Sequence, residues 1–277
     1  MYKKVLAAVN EHLNSEVSAR YALYLAKEAH AGITFCSIAE KGLTDKSFRL
    51  AEEAVKRLSN RARELGVKAD CVLETGMPIK QITKIVNAEG IDIVFAATRR
   101  EDVEKRFFAR TVARGLLLSL RCSVALVRVV NMGRILPREI LVPVKEHIDH
   151  IPERSYFASM LAKSFGSKIH LFHTTKPLKK FFHGETYLTP LEWERNIPPD
   201  ISRFIGHLDQ YNVEHEKRLA SGMTGKSIAI EAAARRRDLI IMGASERGFF
   251  NVLLKGSPVE YVLRETPCNL IILRPGL

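Results

Sequence analysis

The sequence predicts an α/β fold made of two doubly wound, Rossmann-like units in tandem, each on a five-stranded parallel sheet. Two observations carry this expectation. The 277-residue chain repeats itself, and each repeat alternates strand-like with helix-like periods. Composition sets the frame. With 46 % apolar and 27 % charged residues, the chain is neither disordered, nor collagen-like, nor a coiled coil.

The repeat is ordered along the chain. Val9-Asn10-Glu11-His12 returns as Val144-Lys145-Glu146-His147, and Leu25-Ala26-Lys27 returns as Leu161-Ala162-Lys163. Gly76-Met77, with Lys80 and Ile82, returns as Gly222-Met223 with Lys226 and Ile228. Asp92, Leu117, Cys122 and Arg128 return as Asp238, Leu263, Cys268 and Arg274. The offset is 146 from Gly76 to Arg128 and 135 to 136 upstream, so the second copy carries an insertion around Lys176 to Pro199. Domains of residues 1–131 and 137–277 follow. Between them Gly133 and Pro137 interrupt the pattern.

The elements follow in order. In the first copy, Lys4–Val9, Ile33–Ile38, Lys68–Glu74, Ile91–Ala97 and Ser123–Val130 are short runs with strand-forming content. Between them, Ser15–His30 places Val17, Tyr21, Leu25 and Ala29 on one helical face; Asp45–Leu65, Pro78–Ala88 and Val112–Leu120 behave likewise. The second copy repeats the order, from Glu139–Val144 to Asn269–Leu273. Strands alternating with helices imply right-handed crossovers and a parallel sheet covered on both faces. The fifth strand of each copy ends its sheet and is apolar, a hazard if left open. We expect Cys122–Val130 to pair with Cys268–Arg274, the duplicated chain thereby replacing a homodimer; a homodimer of the whole chain stays open.

No run of about 18 apolar residues exists, so no membrane span is expected. The basic start Met1–Asn10 reads as a strand rather than a signal peptide, which makes the cytoplasm the expected compartment. Cys36, Cys71, Cys122 and Cys268 form no C-x-x-C pair and are expected as buried, reduced thiols. The net charge is +12, which favours anionic partners without choosing among them.

In open sheets of this kind ligands bind beyond the carboxyl ends of the strands, where strand order reverses. After the fourth strand the second copy reads Met242-Gly243-Ala-Ser-Glu246-Arg-Gly-Phe-Phe-Asn-Val-Leu-Leu-Lys-Gly256-Ser257-Pro258-Val-Glu260. Gly243 offers close backbone approach. Ser257-Pro258-Val259-Glu260 has the form of a capping box with proline at the first helical position, which aims a positive helix end at the switch point. The bland alternative is that Gly256 and Ser257 only turn the chain and cap a helix.

Gly243, the spacer Arg247–Lys255, Gly256 and Ser257, together with Pro267-Cys-Asn-Leu-Ile-Ile272 and the opening strand Ile140–Val144, resemble the universal stress protein family, over nearly the whole chain and twice. The resemblance implies two domains of the adenine-nucleotide-binding α-hydrolase type. It implies a stress-response protein that binds ATP or another adenine nucleotide, with magnesium, in the second domain. Pro143 and Val144 would line the adenine region, Met242 and Gly243 the sugar and phosphate approach, and Gly256, Ser257 and Pro258 the phosphate end. Three departures stand against it. Glu246 replaces the motif's second glycine, Lys145 and Asn10 stand where nucleotide binders carry an aspartate, and the first copy reads Ala97, Arg100, Arg110 and Thr111 at the motif positions. The first copy is therefore expected to be degenerate, although Arg99, Arg100, Arg106 and Arg110 could hold an anion or form a solvated face.

Other constellations carry less. Glu11-His12 and Glu146-His147 recur at the switch point, and His147, His150 and His173 could converge on a metal or simply hydrogen-bond within loops. No metal site, nucleophile elbow or phosphate loop is assigned, so no enzyme is expected beyond at most weak ATP hydrolysis. In the insertion, Phe181 and Phe182 among lysines could stack on bases, or fold over the sheet with Trp193 as anchor. The alternatives to nucleotide binding are a scaffold acting through protein partners and, on charge alone, a nucleic-acid-associated protein; nucleic acid is not the expected partner.

Overall fold

The structure is a computed structural model that describes the chain except residues 41, 99–110, 134, 176–178, 182–183, 187–188, 222–223, 245–256 and 277. The first copy runs β1 (Lys4–Ala8), α1 (Leu13–Glu28), β2 (Gly32–Ala39), α2 (Asp45–Glu64), β3 (Ala69–Thr75), α3 (Pro78–Glu89), β4 (Ile93–Thr98), α4 (Val112–Ser119) and β5 (Ser123–Arg128). The second runs β6 (Glu139–Val144), α5 (Ile151–Phe165), β7 (Lys168–Thr175), β8 (Lys179–Phe181), β9 (Gly184–Thr186), α6 (Pro190–Arg195) and α7 (Pro199–Gln210). It ends with β10 (His215–Ser221), α8 (Thr224–Ala234), β11 (Leu239–Gly243), α9 (Pro258–Glu265) and β12 (Asn269–Arg274). No described helix is long and apolar enough to cross a membrane.

Two compact units result: Met1–Leu136 with Asn269–Leu277, and Pro137–Cys268. In the first unit the strand order is β12-β5-β4-β1-β2-β3. β1 to β5 are parallel and β12 runs antiparallel to β5. The central strands are mostly apolar, as a sheet covered on both faces requires, and every residue of β5 is buried. α2 shows how one helix covers such a sheet. Ala51, Ala54, Val55, Leu58 and Ala62 recur at helical spacing and are buried, and the Thr44 hydroxyl accepts from the Ser47 amide at its start.

The pairing of the two fifth strands is present, and its register shows the repeat. Leu126 faces Ile272, its equivalent at offset 146, while Arg128 faces Leu270 and Val124 faces Arg274. A local pseudo-twofold axis therefore relates the two strands. Asn269 fixes the pair: its fully buried side chain accepts from the amides of Val130 and Asn131 (2.8 and 2.9 Å) and donates to the Tyr21 hydroxyl and to Asn131 O. Arg274 is buried and donates to the carbonyls of Leu120 and Cys122.

The second unit holds the parallel order β10-β7-β6-β11. One aspartate does the same work in both copies. Asp92 accepts from the amides of Lys3 and Lys4 at 2.6 and 2.9 Å, and Asp238 from those of Arg138 and Glu139 at 2.9 and 3.1 Å. This is why the fourth strand starts at Ile93 rather than at Ile91. α1 ends two residues earlier than expected because His30 takes the left-handed backbone, φ 51°.

The insertion is structured. It forms the antiparallel hairpin of β8 and β9 and then the short α6, whose Thr189–Glu192 capping box is complete. Trp193 anchors it, 3 % exposed and stacked on His173 with ring centroids 6.2 Å apart. Phe182 lies outside the described residues. The expectation of four buried thiols holds for Cys36 and Cys268, whose burial pushes both up to about 12. Cys122 is half-buried, and Cys71 is exposed on the edge strand β3, its sulfur 2.9 Å from the Ser59 hydroxyl of α2.

Candidate functional site

In the second unit β6 lies between β7 and β11, so strand order reverses at β6. The ligand position expected for this topology is the carboxyl end of β6 and β11. The structure puts Pro143 and Val144 at the end of β6 and Met242 and Gly243 at the end of β11. Val144 and Met242 are buried and Pro143 is half-buried. Ser257 and Pro258 open α9, with the Ser257 hydroxyl accepting from the Glu260 amide at 3.0 Å. The serine half of the expected capping box is thus present. The Glu260 carboxylate lies 3.5 Å from Arg264 Nε, one turn along. Gly256 and Glu246 lie outside the described residues, as does the arginine group Arg99, Arg100, Arg106 and Arg110 of the first copy.

The wall beside Val144 is aromatic. His173 is buried at the end of β7, with Nδ1 3.0 Å from Val144 O. A carbonyl only accepts, so Nδ1 carries the proton. The Trp193 ring covers the other side of the imidazole. The loop from Lys145 to His150 is tied from outside: Asp200, in the first turn of α7, accepts from the Ile148 amide at 3.0 Å and meets His147 Nδ1 at 2.8 Å. The Ile148 amide, and then Arg203, hold the Asp200 carboxyl down at about 2. Lys145, Glu146 and His147 are exposed.

The histidines do not converge. His147 is engaged by Asp149 and Asp200, and His173 by Val144 O. Among the described residues no group of three or more metal-ligating side chains comes together. Hydrogen bonding within the loops, the plainer of the two sequence readings, describes His147 and His173. A cavity of about 350 Å³ lined by Thr83, Asn87, Ser119, Leu120 and Arg121 lies in the first unit, before β5 starts and so away from the carboxyl ends.

Sequence reasoning missed Arg154. It sits in the first turn of α5, and its Nη2 donates to Ala244 O at 2.9 Å, just past β11. The room over Gly243 is filled by this guanidinium: a Cβ on Gly243 would fall 2.4 Å from Arg154 Cζ and Nη1. The first copy has Ser18 and Ala97 at the equivalent places, a small side chain and a methyl group. That exchange, a larger residue against a lost Cβ, was the signal open to sequence comparison of the copies.

The fold and the site define the class: a doubly wound α/β protein with its candidate ligand position at the switch point of the second unit. The chain belongs to the universal stress protein family, whose model matches residues 1–128 and again 138–274. A universal stress protein of Staphylococcus epidermidis is 26 % identical over 155 residues, covering 51 % of this chain and 93 % of its own. A solved universal stress protein from Archaeoglobus fulgidus superposes with TM-score 0.68 at 19 % identity, over 99 % of this chain and 96 % of that one. A Pseudomonas aeruginosa protein described as a universal stress protein gives TM-score 0.63 at 14 % identity, over 99 % and 94 %. At these identities the two structures bear on fold alone.

Proposed function

We propose that this chain is a stress-response protein that binds rather than catalyses, and that its second copy takes ATP or another adenine nucleotide with magnesium. The observation that carries the reading is the Ser257-capped start of α9 following the β6–β11 switch point. A helix start there presents positive potential to phosphate. In this reading Pro143 and Val144 face the base, Met242 and Gly243 the sugar and first phosphate, and Gly256, Ser257 and Pro258 the remaining phosphates. The first copy, with Ala97 and Asn10, carries no nucleotide.

The test is to denature the purified chain, chromatograph what is released, and melt the chain with millimolar ATP and magnesium. A ligand at about 100 times its dissociation constant adds roughly 2.7 kcal/mol to the unit that binds it. Nucleotide release together with an upward shift is the expected result. The absence of both favours the second reading, a scaffold for protein partners. Arg154 lying over Gly243 is the observation on that side.

A further inference from the structure

We infer that Arg154 is the residue that holds the nucleotide's anionic group in the second copy, its guanidinium taking the place over Gly243 that would otherwise expose backbone. The inference deepens the nucleotide reading and rests on it. Three observations lead there. First, the guanidinium is half-complete. Nη2 donates to Ala244 O, while Nε is buried with no acceptor among the described residues. Second, it has no counter-ion: among the described residues no carboxylate stands within ion-pair distance of it, whereas Arg57, Arg203 and Arg237 each meet one. Burial lowers its affinity for its proton, and Asp149 and Glu153 pull the other way only from a distance. A half-buried cation whose Nε is sealed from solvent with its donor unspent is costly unless something pairs it, and the missing partner has the chemistry of an anion. Third, its place is the carboxyl end of β11, at the switch point. Only this copy has the arrangement, because Ser18 and Ala97 stand at the matching positions of the first.

A guanidinium in that position can give paired donors to phosphate oxygens, a charge-assisted contact stronger than a neutral hydrogen bond. Gly243 serves the site by lacking the Cβ that would displace Arg154.

AMP and adenosine, which share base and sugar and differ in the phosphate, separate the claims by titration calorimetry. The wild-type chain is expected to prefer AMP. Arg154→Gln should weaken AMP by roughly tenfold to a hundredfold and leave adenosine unchanged, and Arg154→Lys should keep part of the preference. The ratio of the two ligands within one variant is insensitive to any fraction of unfolded protein, since both ligands see the same folded population. An AMP preference that survives in Arg154→Gln overturns the role of Arg154 and leaves the nucleotide reading standing. A wild-type chain that binds neither AMP, nor adenosine, nor ATP with magnesium overturns both.

Discussion

At the scale of single residues, Asp200 shows how the loop beside the candidate site is held. Its carboxylate takes the Ile148 amide, Arg203 and the His147 ring, and stays ionised down to about pH 2. A carboxyl whose folded value lies below its unfolded value near 4 stabilises the fold above that value, and loses this contribution as pH falls through about 2. Asp200→Asn should therefore melt a few degrees below the wild-type chain at pH 6. The gap should narrow steadily between about pH 4 and pH 2. A gap that is the same at both ends of that window, followed by circular dichroism, would refute the assignment. Asp200 was not legible along the chain, because its partner amide is 52 residues away. Arg154 was hidden for the same reason: what made it a site residue was Ala244 O, 90 positions along the chain.

At the scale of elements, local signals were the legible ones. Ser257 with Pro258, Thr111 before α4 and Thr44 before α2 all sit where a cap is needed, and each accepts an amide of the first turn. Cap and helix lie within four residues of each other, so nothing distant can overrule them. Ser257→Ala should cost about 1 kcal/mol, read as a lower urea midpoint with unchanged slope; an unchanged midpoint would mean that α9 is held by its packing on α8 alone. That packing is tight, since a Cβ on Gly225 would fall 2.9 Å from Tyr261 Cβ. The insertion was harder to read. Its composition suggested a partner loop or a flap, and the stacking of Trp193 on His173 decided for an anchored segment.

At the scale of the whole molecule, the last strand belongs to one repeat by sequence and to the other unit by contact. β12 is the fifth strand of the second copy, yet it pairs with β5, and its Asn269 bonds Tyr21. Removing residues 269–277 should therefore loosen the first unit. Hydrogen exchange at the amides of Val124 to Arg128 should speed up at least roughly tenfold, since strand and caps are lost together. If exchange in β5 stays as slow as in the intact chain, β12 contributes nothing to that unit. Val127→Pro, which removes an amide from the same pair, should act in the same direction.

The sequence by itself determined the duplication, the order of strands and helices, the switch point, and the pairing of the two fifth strands. Those follow from periodicity and from the need to cover an apolar edge, both properties of local chain. Only the tertiary structure decided what fills the switch point. Whether Gly243 faces a ligand or a side chain depends on where α5 brings Arg154, and whether His147, His150 and His173 meet depends on Asp200 and Val144 O reaching two of them first. Such choices are made by groups far apart in sequence, competing for the same few ångströms of space, and no spacing along the chain records which of them wins.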